Sequence, residues 1–182
     1  AKVIKERLCK YYNISNERIR IINLRPAHSV NNFIYDKDKH IKYIKKYNLE
    51  ENYIYYPAMY LPHKNHKAVI DVIKLLKEKY TYNLKAVFSG GDVGYKNELI
   101  KYCKNNKIEN NVIFLNFVED EALPYLYKNA SAMVFPVLIG PTFTPLWEAF
   151  KMEVPVIFSN LDGAKDVYGD AVIYVDPFNV EE

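Results

Sequence analysis

Two kinds of hydrophobic spacing alternate along the chain. Compact apolar runs predict strands at residues 53–57, 84–89, 112–115, 132–136, 154–158 and 171–175. Between them, apolar residues recur at intervals near one helical turn. Val69, Val72, Ile73 and Leu76 predict a helix over 65–80, and Leu99, Ile100 and Cys103 another over 95–106. Further helices are expected over 121–129, where Pro124 falls in the tolerant first turn, and near 162–168. Strands that alternate with helices imply an α/β fold, a doubly wound parallel sheet of Rossmann-like form. Ligands of such sheets bind beyond the carboxyl ends of the strands.

The opening is different. Residues 2–13 have a helical pattern, 18–24 alternate like a strand, 27–36 have no period and read as a linker, and 37–47 can form an amphipathic helix through Ile41 and Ile44. Residues 1–50 therefore read as the last helix and exit strand of a preceding lobe followed by a crossing, and 51–182 as the sheet domain. On this reading the chain is a piece of a two-lobed protein.

Composition changes this picture little. The 182 residues are 49% hydrophobic and 26% charged, as in a soluble globular protein. No run has the length of a membrane span, and the start has no apolar signal core. Cys9 and Cys103 lie far apart without metal-binding spacing, which fits a reducing cytoplasm and predicts neither a disulfide framework nor a metal site. Charge is uneven: residues 1–48 carry 12 Lys/Arg against 4 Asp/Glu, and residues 49–182 carry 13 against 18. The basic opening permits peripheral contact with anionic lipid, but without interleaved aromatic clusters it does not predict nucleic-acid binding.

The expected chemistry lies in four loops at the strand ends: residues 58–65, 90–94, 116–120 and 137–144. The last is the organising one. Gly140-Pro141-Thr142 turns the chain into a short helix whose N-terminus faces the strand ends, and amides with the positive end of a helix dipole suit an anion there. Glu148, about one turn into that helix, could accept two hydrogen bonds from a diol such as ribose. Lys64 stands just before a helix and could meet a phosphate as a point charge. Gly90-Gly91 lets backbone approach a ligand closely. His63 and His66 could share a helix face, with no third ligand near in sequence. Dinucleotide, P-loop and hydrolase fingerprints are absent.

Taken in order, these loops resemble the C-terminal, nucleotide-sugar-binding lobe of GT-B glycosyltransferases in the retaining group called family 4. The resemblance covers residues 53–182. Tyr56-Pro57-Ala58-Met59-Tyr60-Leu61-Pro62-His63-Lys64-Asn65-His66 looks like the family's first loop, and Phe88-Ser89-Gly90-Gly91 like its second strand end. Val112 to Glu121, Gly140 to Glu148, Pro155-Val156 and Asp176-Pro177 complete the series. The family has helices that close this lobe, and they would follow residue 182.

The resemblance implies roles. Lys64 would neutralise the donor diphosphate, with Thr142, Phe143 and Thr144 lying against it. Glu148 would hold the ribose hydroxyls. Gly140 and Pro141 would lie by the donor sugar, and Gly90, Gly91 and Val118 near the base. The donor would be a nucleotide diphosphate sugar, with no cofactor and no metal, and the acceptor a glycan, lipid or protein. Catalytic groups would lie partly in the other lobe. Two positions depart from the family. Its first glutamate, eight residues before the second, falls on Gly140, and its diphosphate arginine falls on Met59. These departures keep open a regulatory or partner-binding domain without transferase chemistry. A sugar-nucleotide epimerase is the other alternative.

Overall fold

A computed structural model describes residues 1–50, 52–140 and 142–182. Six parallel strands form one sheet: β1 (Tyr53–Pro57), β2 (Lys85–Ser89), β3 (Val112–Phe114), β4 (Ala130–Phe135), β5 (Val156–Ser159) and β6 (Ile173–Val175). Their order is β3-β2-β1-β4-β5-β6. The chain runs outward through β2 and β3, returns, and continues outward on the other side of β1 through β4. The direction of winding therefore reverses between β1 and β4, and a crevice opens at their carboxyl ends.

Helices α1 (Lys2–Tyr12), α2 (His28–Asn31) and α3 (Lys37–Lys46) precede the sheet. Helices α4 (His66–Tyr80), α5 (Lys96–Asn105), α6 (Leu123–Asn129), α7 (Thr144–Lys151) and α8 (Lys165–Tyr168) lie between strands. The α/β sheet expected from the sequence is therefore present.

β1 is central and buried on both faces, so its residues do not alternate in polarity. Three of its residues are tyrosines, and each hydroxyl has a partner, as buried hydroxyls require. Tyr53 donates to the Leu126 carbonyl at 2.7 Å, Tyr55 shares a hydrogen bond with Ser89 Oγ at 2.7 Å, and Tyr56 donates to the Lys64 carbonyl. The strand thus fixes α6 on one side and the loop carrying Lys64 on the other.

Two expectations for the opening fail. Residues 18–24 do not form a strand: Ile21, Ile22 and Leu24 are exposed, and no described strand pairs with them. Alternation marks two faces, but a strand also needs a neighbour for its backbone groups. Nor are residues 27–36 a free linker. They contain α2, whose Val30 is fully buried. Phe33 meets the Tyr125 ring edge-on at 5.0 Å, and Tyr35 donates to or accepts from His40 at 2.9 Å. The next helix starts because Asp36 accepts the amides of Asp38 and Lys39, both at 2.9 Å. α3 then ties down the loop after β3 through Lys46–Glu119 and Lys39–Glu121 ion pairs and the Tyr43 hydroxyl on Glu121.

Candidate functional site

The loops after β1 and β4 meet at the crevice. The Leu138 amide donates to the His63 carbonyl at 2.9 Å, joining the two loops directly. After β2, Gly90 passes so close to the first loop that a Cβ there would stand 2.3 Å from the Ala58 carbonyl oxygen. Only glycine fits, because the obstacle is backbone. Gly90→Ala should therefore lower unfolding free energy by about 1–3 kcal/mol in urea denaturation, with the loss carried by displacement of the first loop.

Met59, Gly90, Gly91, Phe117, Val118 and Glu148 line a cavity of about 190 Å³ at this edge. Four predicted residues, Gly90, Gly91, Val118 and Glu148, thus share one wall system. Met59 and Phe117 flank Gly91 as an apolar lip. Asp120 and Ser89 also reach the cavity.

Glu148 is only 6% exposed. Its carboxylate accepts the Ala27 amide on Oε1 at 3.3 Å and the Tyr127 hydroxyl on Oε2 at 2.8 Å. Burial raises its pKa above the usual carboxylate range. The Tyr127 and Ala27 hydrogen bonds oppose that shift, and the Asp120 charge adds to it. Neither donor was predicted from sequence. Ala27 is 121 positions away and belongs to the segment read as a linker.

Lys64 lies in a 3-10 turn, Pro62–Lys64, before α4. Its ammonium sits 4.2 Å from the centroid of the Phe143 ring and 5.8 Å from that of Phe135. Half-burial lowers its pKa. The same Phe143 ring covers Gly140, where a Cβ would stand 3.0 Å from Cζ and φ is +95°. The space that a side chain at 140 would enter is therefore taken by an aromatic ring that also carries the lysine.

The helix N-terminus is less open to an anion than the sequence suggests. The Phe143 amide already donates to the Tyr168 hydroxyl at 3.0 Å. Thr144 opens α7, and Thr142 faces a separate small cavity with Trp147 and Leu24. Pro141 lies outside the described residues. His66 turns into the core instead of sharing a face with His63. It is fully buried among Tyr56, Tyr60 and Phe88, at centroid distances of 4.5, 5.2 and 5.1 Å. Among the described residues no group of three potential metal ligands occurs, and no helix is long and apolar enough to cross a membrane.

The sequence profile of the family described as "Glycosyl transferases group 1" matches residues 37–182. The O-antigen chain mannosyltransferase RfbU of Salmonella typhimurium is 30% identical over 176 residues, covering 96% of this chain and 44% of that protein. A glycosyltransferase from Rickettsia africae superposes with a TM-score of 0.85 at 20% identity, over 100% of this chain and 49% of the other. Anabaena Alr3699/HepE in complex with UDP superposes with a TM-score of 0.78 at 17% identity, over 100% of this chain and 50% of the other. These structural likenesses support the GT-B fold. The chain spans less than half the length of the curated relatives it matches.

Proposed function

The chain belongs to the group 1 glycosyl transferases, and from that premise we propose that it is the donor-binding lobe of a retaining, family 4-like enzyme. The enzyme moves a hexose from a nucleotide diphosphate sugar to a glycan, lipid or protein acceptor. The observation that carries the reading is the buried carboxylate of Glu148 facing a cavity walled by Gly90, Gly91 and Val118 at the switch point of the sheet.

In this reading the ribose diol donates to Glu148. The base lies along Gly90, Gly91 and Val118, against the lip of Met59 and Phe117. The diphosphate meets Lys64. Its departure with the nucleoside needs charge stabilisation more than covalent help. Lys64 and the amides around residues 142–144 supply that, the Phe143 amide only if its bond to Tyr168 gives way. Residues 1–50 end the other lobe and form the crossing, whose segment from Ala27 onward packs onto this lobe, so the isolated chain should bind a donor without transferring its sugar. The enzyme works at the cytoplasmic face, with its basic opening segment free to touch anionic lipid.

Calorimetric titration with UDP, GDP and ADP tests the reading. UDP comes first, because a protein of the same fold is known with UDP bound, and mannosyl donors follow, because RfbU is named for mannosyl transfer. Saturable binding of one nucleotide is expected. Lys64→Met should weaken it about tenfold, the lower end for a hydrogen bond to a charged group. Because burial already lowers the Lys64 pKa, affinity should also decline with rising pH before a free lysine would titrate. Equal affinity in Lys64→Met across that range would remove Lys64 from the site.

Gly140 favours a second reading, a domain that binds nucleotide without transfer, since no carboxylate stands on the sugar side at that position. Sugar transfer by the chain joined to its upstream lobe separates the two.

A further inference from the structure

Glu148 is held by donors from two unconnected parts of the chain. Ala27 caps α2, and Tyr127 lies in α6. Tyr127 is fully buried, with its ring edge-on to Tyr55 at 5.0 Å. The Tyr53 hydroxyl on the Leu126 carbonyl anchors α6 to β1 one residue earlier. The phenol is therefore fixed in place before any ligand arrives. Its hydroxyl oxygen lies nearer Glu148 Oε2, at 2.8 Å, than the Pro145 carbonyl oxygen, at 3.3 Å.

A carboxylate offers about four lone-pair sites. Two are occupied here, one on each oxygen, which leaves the number a vicinal diol uses. The terminal torsion of a glutamate is broad when nothing holds it. A carboxylate left to rotate would present the diol with a spread of orientations, and binding would have to order it.

We propose that Tyr127 is a positioning residue of the nucleotide site: its phenol, with the Ala27 amide, fixes the plane of the Glu148 carboxylate so that its two remaining lone-pair sites face a ribose diol. The inference rests on the donor-binding reading above. Ala27 extends the device to the segment that leads into the lobe. The groups facing Glu148 are the Asp120 carboxylate, which favours its protonation, and the Tyr127 hydroxyl and Ala27 amide, which favour its ionisation. Tyr55 stands behind Tyr127 with its hydroxyl committed to Ser89.

The test is calorimetric titration with UDP, GDP and ADP from about pH 5 to about pH 8, spanning carboxyl titration from above. It compares the unmodified chain with Tyr127→Phe, Glu148→Gln and the double variant. Tyr127→Phe keeps the ring and should lose about tenfold in affinity at neutral pH. Its loss of affinity on acidification should begin at higher pH, because the ionised carboxylate has lost a donor. The double variant should bind no more weakly than Glu148→Gln alone, as expected of residues acting in one unit.

A structural role alone would leave the acid limb in place and give additive losses. Ala27→Pro is a second probe: Ala27 already has φ −54°, which proline adopts, and the ring replaces the N–H that meets Glu148 with a methylene that pushes the carboxylate off its held position. It should move the acid limb in the same direction, and it decides the question if Tyr127→Phe does not fold. An unmoved limb and unchanged affinity in the folded variants, with Glu148→Gln weakened, would overturn the role of Tyr127 and leave the nucleotide reading standing. Absence of nucleotide binding by the unmodified chain would overturn both.

Discussion

Glu148→Gln should lower nucleotide affinity ten- to hundredfold and at the same time leave the fold at least as stable at neutral pH. The binding loss follows from replacing an anionic acceptor with a neutral one, worth about 1.5–3 kcal/mol in charge-assisted hydrogen bonds to the diol. The stability change follows from the sign of the pKa shift. Burial raises the Glu148 pKa in the folded chain. The folded state therefore holds the proton more tightly than the unfolded state. The cost of the buried charge is absent below the unfolded pKa of about 4.3 and complete above the raised folded value. Glutamine removes that cost while its amide can still meet the Tyr127 hydroxyl, which accepts as well as donates. Urea denaturation at about pH 7 beside a nucleotide titration measures both halves. A variant that lost binding only because it had lost stability would show that Glu148 serves packing.

The pH dependence of binding carries the same signature. The diol needs the ionised form, so affinity should fall on acidification at a pH above that of an ordinary carboxyl group. In Glu148→Gln this limb should vanish. Stability is lowered by the same burial that sets up a strong acceptor in a poorly solvated wall, so the position is one where function and stability oppose each other.

The sheet was legible because each of its strands satisfies a local rule. Tyr53 to Pro57 is apolar throughout and turned out to be the central strand, with neighbours on both edges. The unit from Ala130 to Ser159 was legible for the same reason, apart from its start. β4 begins two residues before the predicted point, with an irregularity in its pairing to β1 between Tyr53 and Ile54. What failed depended on partners that sequence spacing does not encode. Residues 18–24 alternate correctly and pair with no described strand. Residues 27–36 carry no period because one buried valine and edge-on aromatic contacts hold them, and neither repeats.

The candidate site divides in the same way. Gly90, Gly91 and Glu148 were legible from loop position and residue type and Val118 from the family resemblance, and the four line one cavity. Tyr127 was invisible because it lies in a run of four consecutive buried residues, Pro124 to Tyr127, where no face is marked as functional. Lys64 was singled out, but its pairing with a ring was not. Phe143 was singled out for its backbone, whereas its side chain is what touches the lysine and fills the space beside Gly140.

His66 was read as able to share a helix face with His63, and its actual position gives the largest expected effect on stability. Burial pushes its imidazole down to about 3 from an ordinary 6.5; the Lys64 charge adds to this and the Ala58 carbonyl opposes it. The Ala58 carbonyl lies near enough to oppose the shift, but neither ring nitrogen reaches hydrogen-bond geometry with it or with any other described group. The folded chain therefore keeps His66 neutral over a range in which the unfolded chain protonates it. Stability contributed by the neutral ring is complete above about pH 6.5 and is lost as pH falls toward about 3, where the folded form also titrates. The accumulated loss is roughly 3–5 kcal/mol, a large share of what a domain of this size has. His66→Leu removes the titrating group and the two unpaired nitrogens while keeping an apolar side chain among Tyr56, Tyr60 and Phe88. It should match or exceed the unmodified chain at neutral pH and lead by a widening margin as the solution is acidified. Carboxylates titrate alike in both chains, so the difference between their urea midpoints isolates the histidine. Parallel stability curves over that range would mean that the imidazole protonates in place, and that the aromatic cage around it admits a charge.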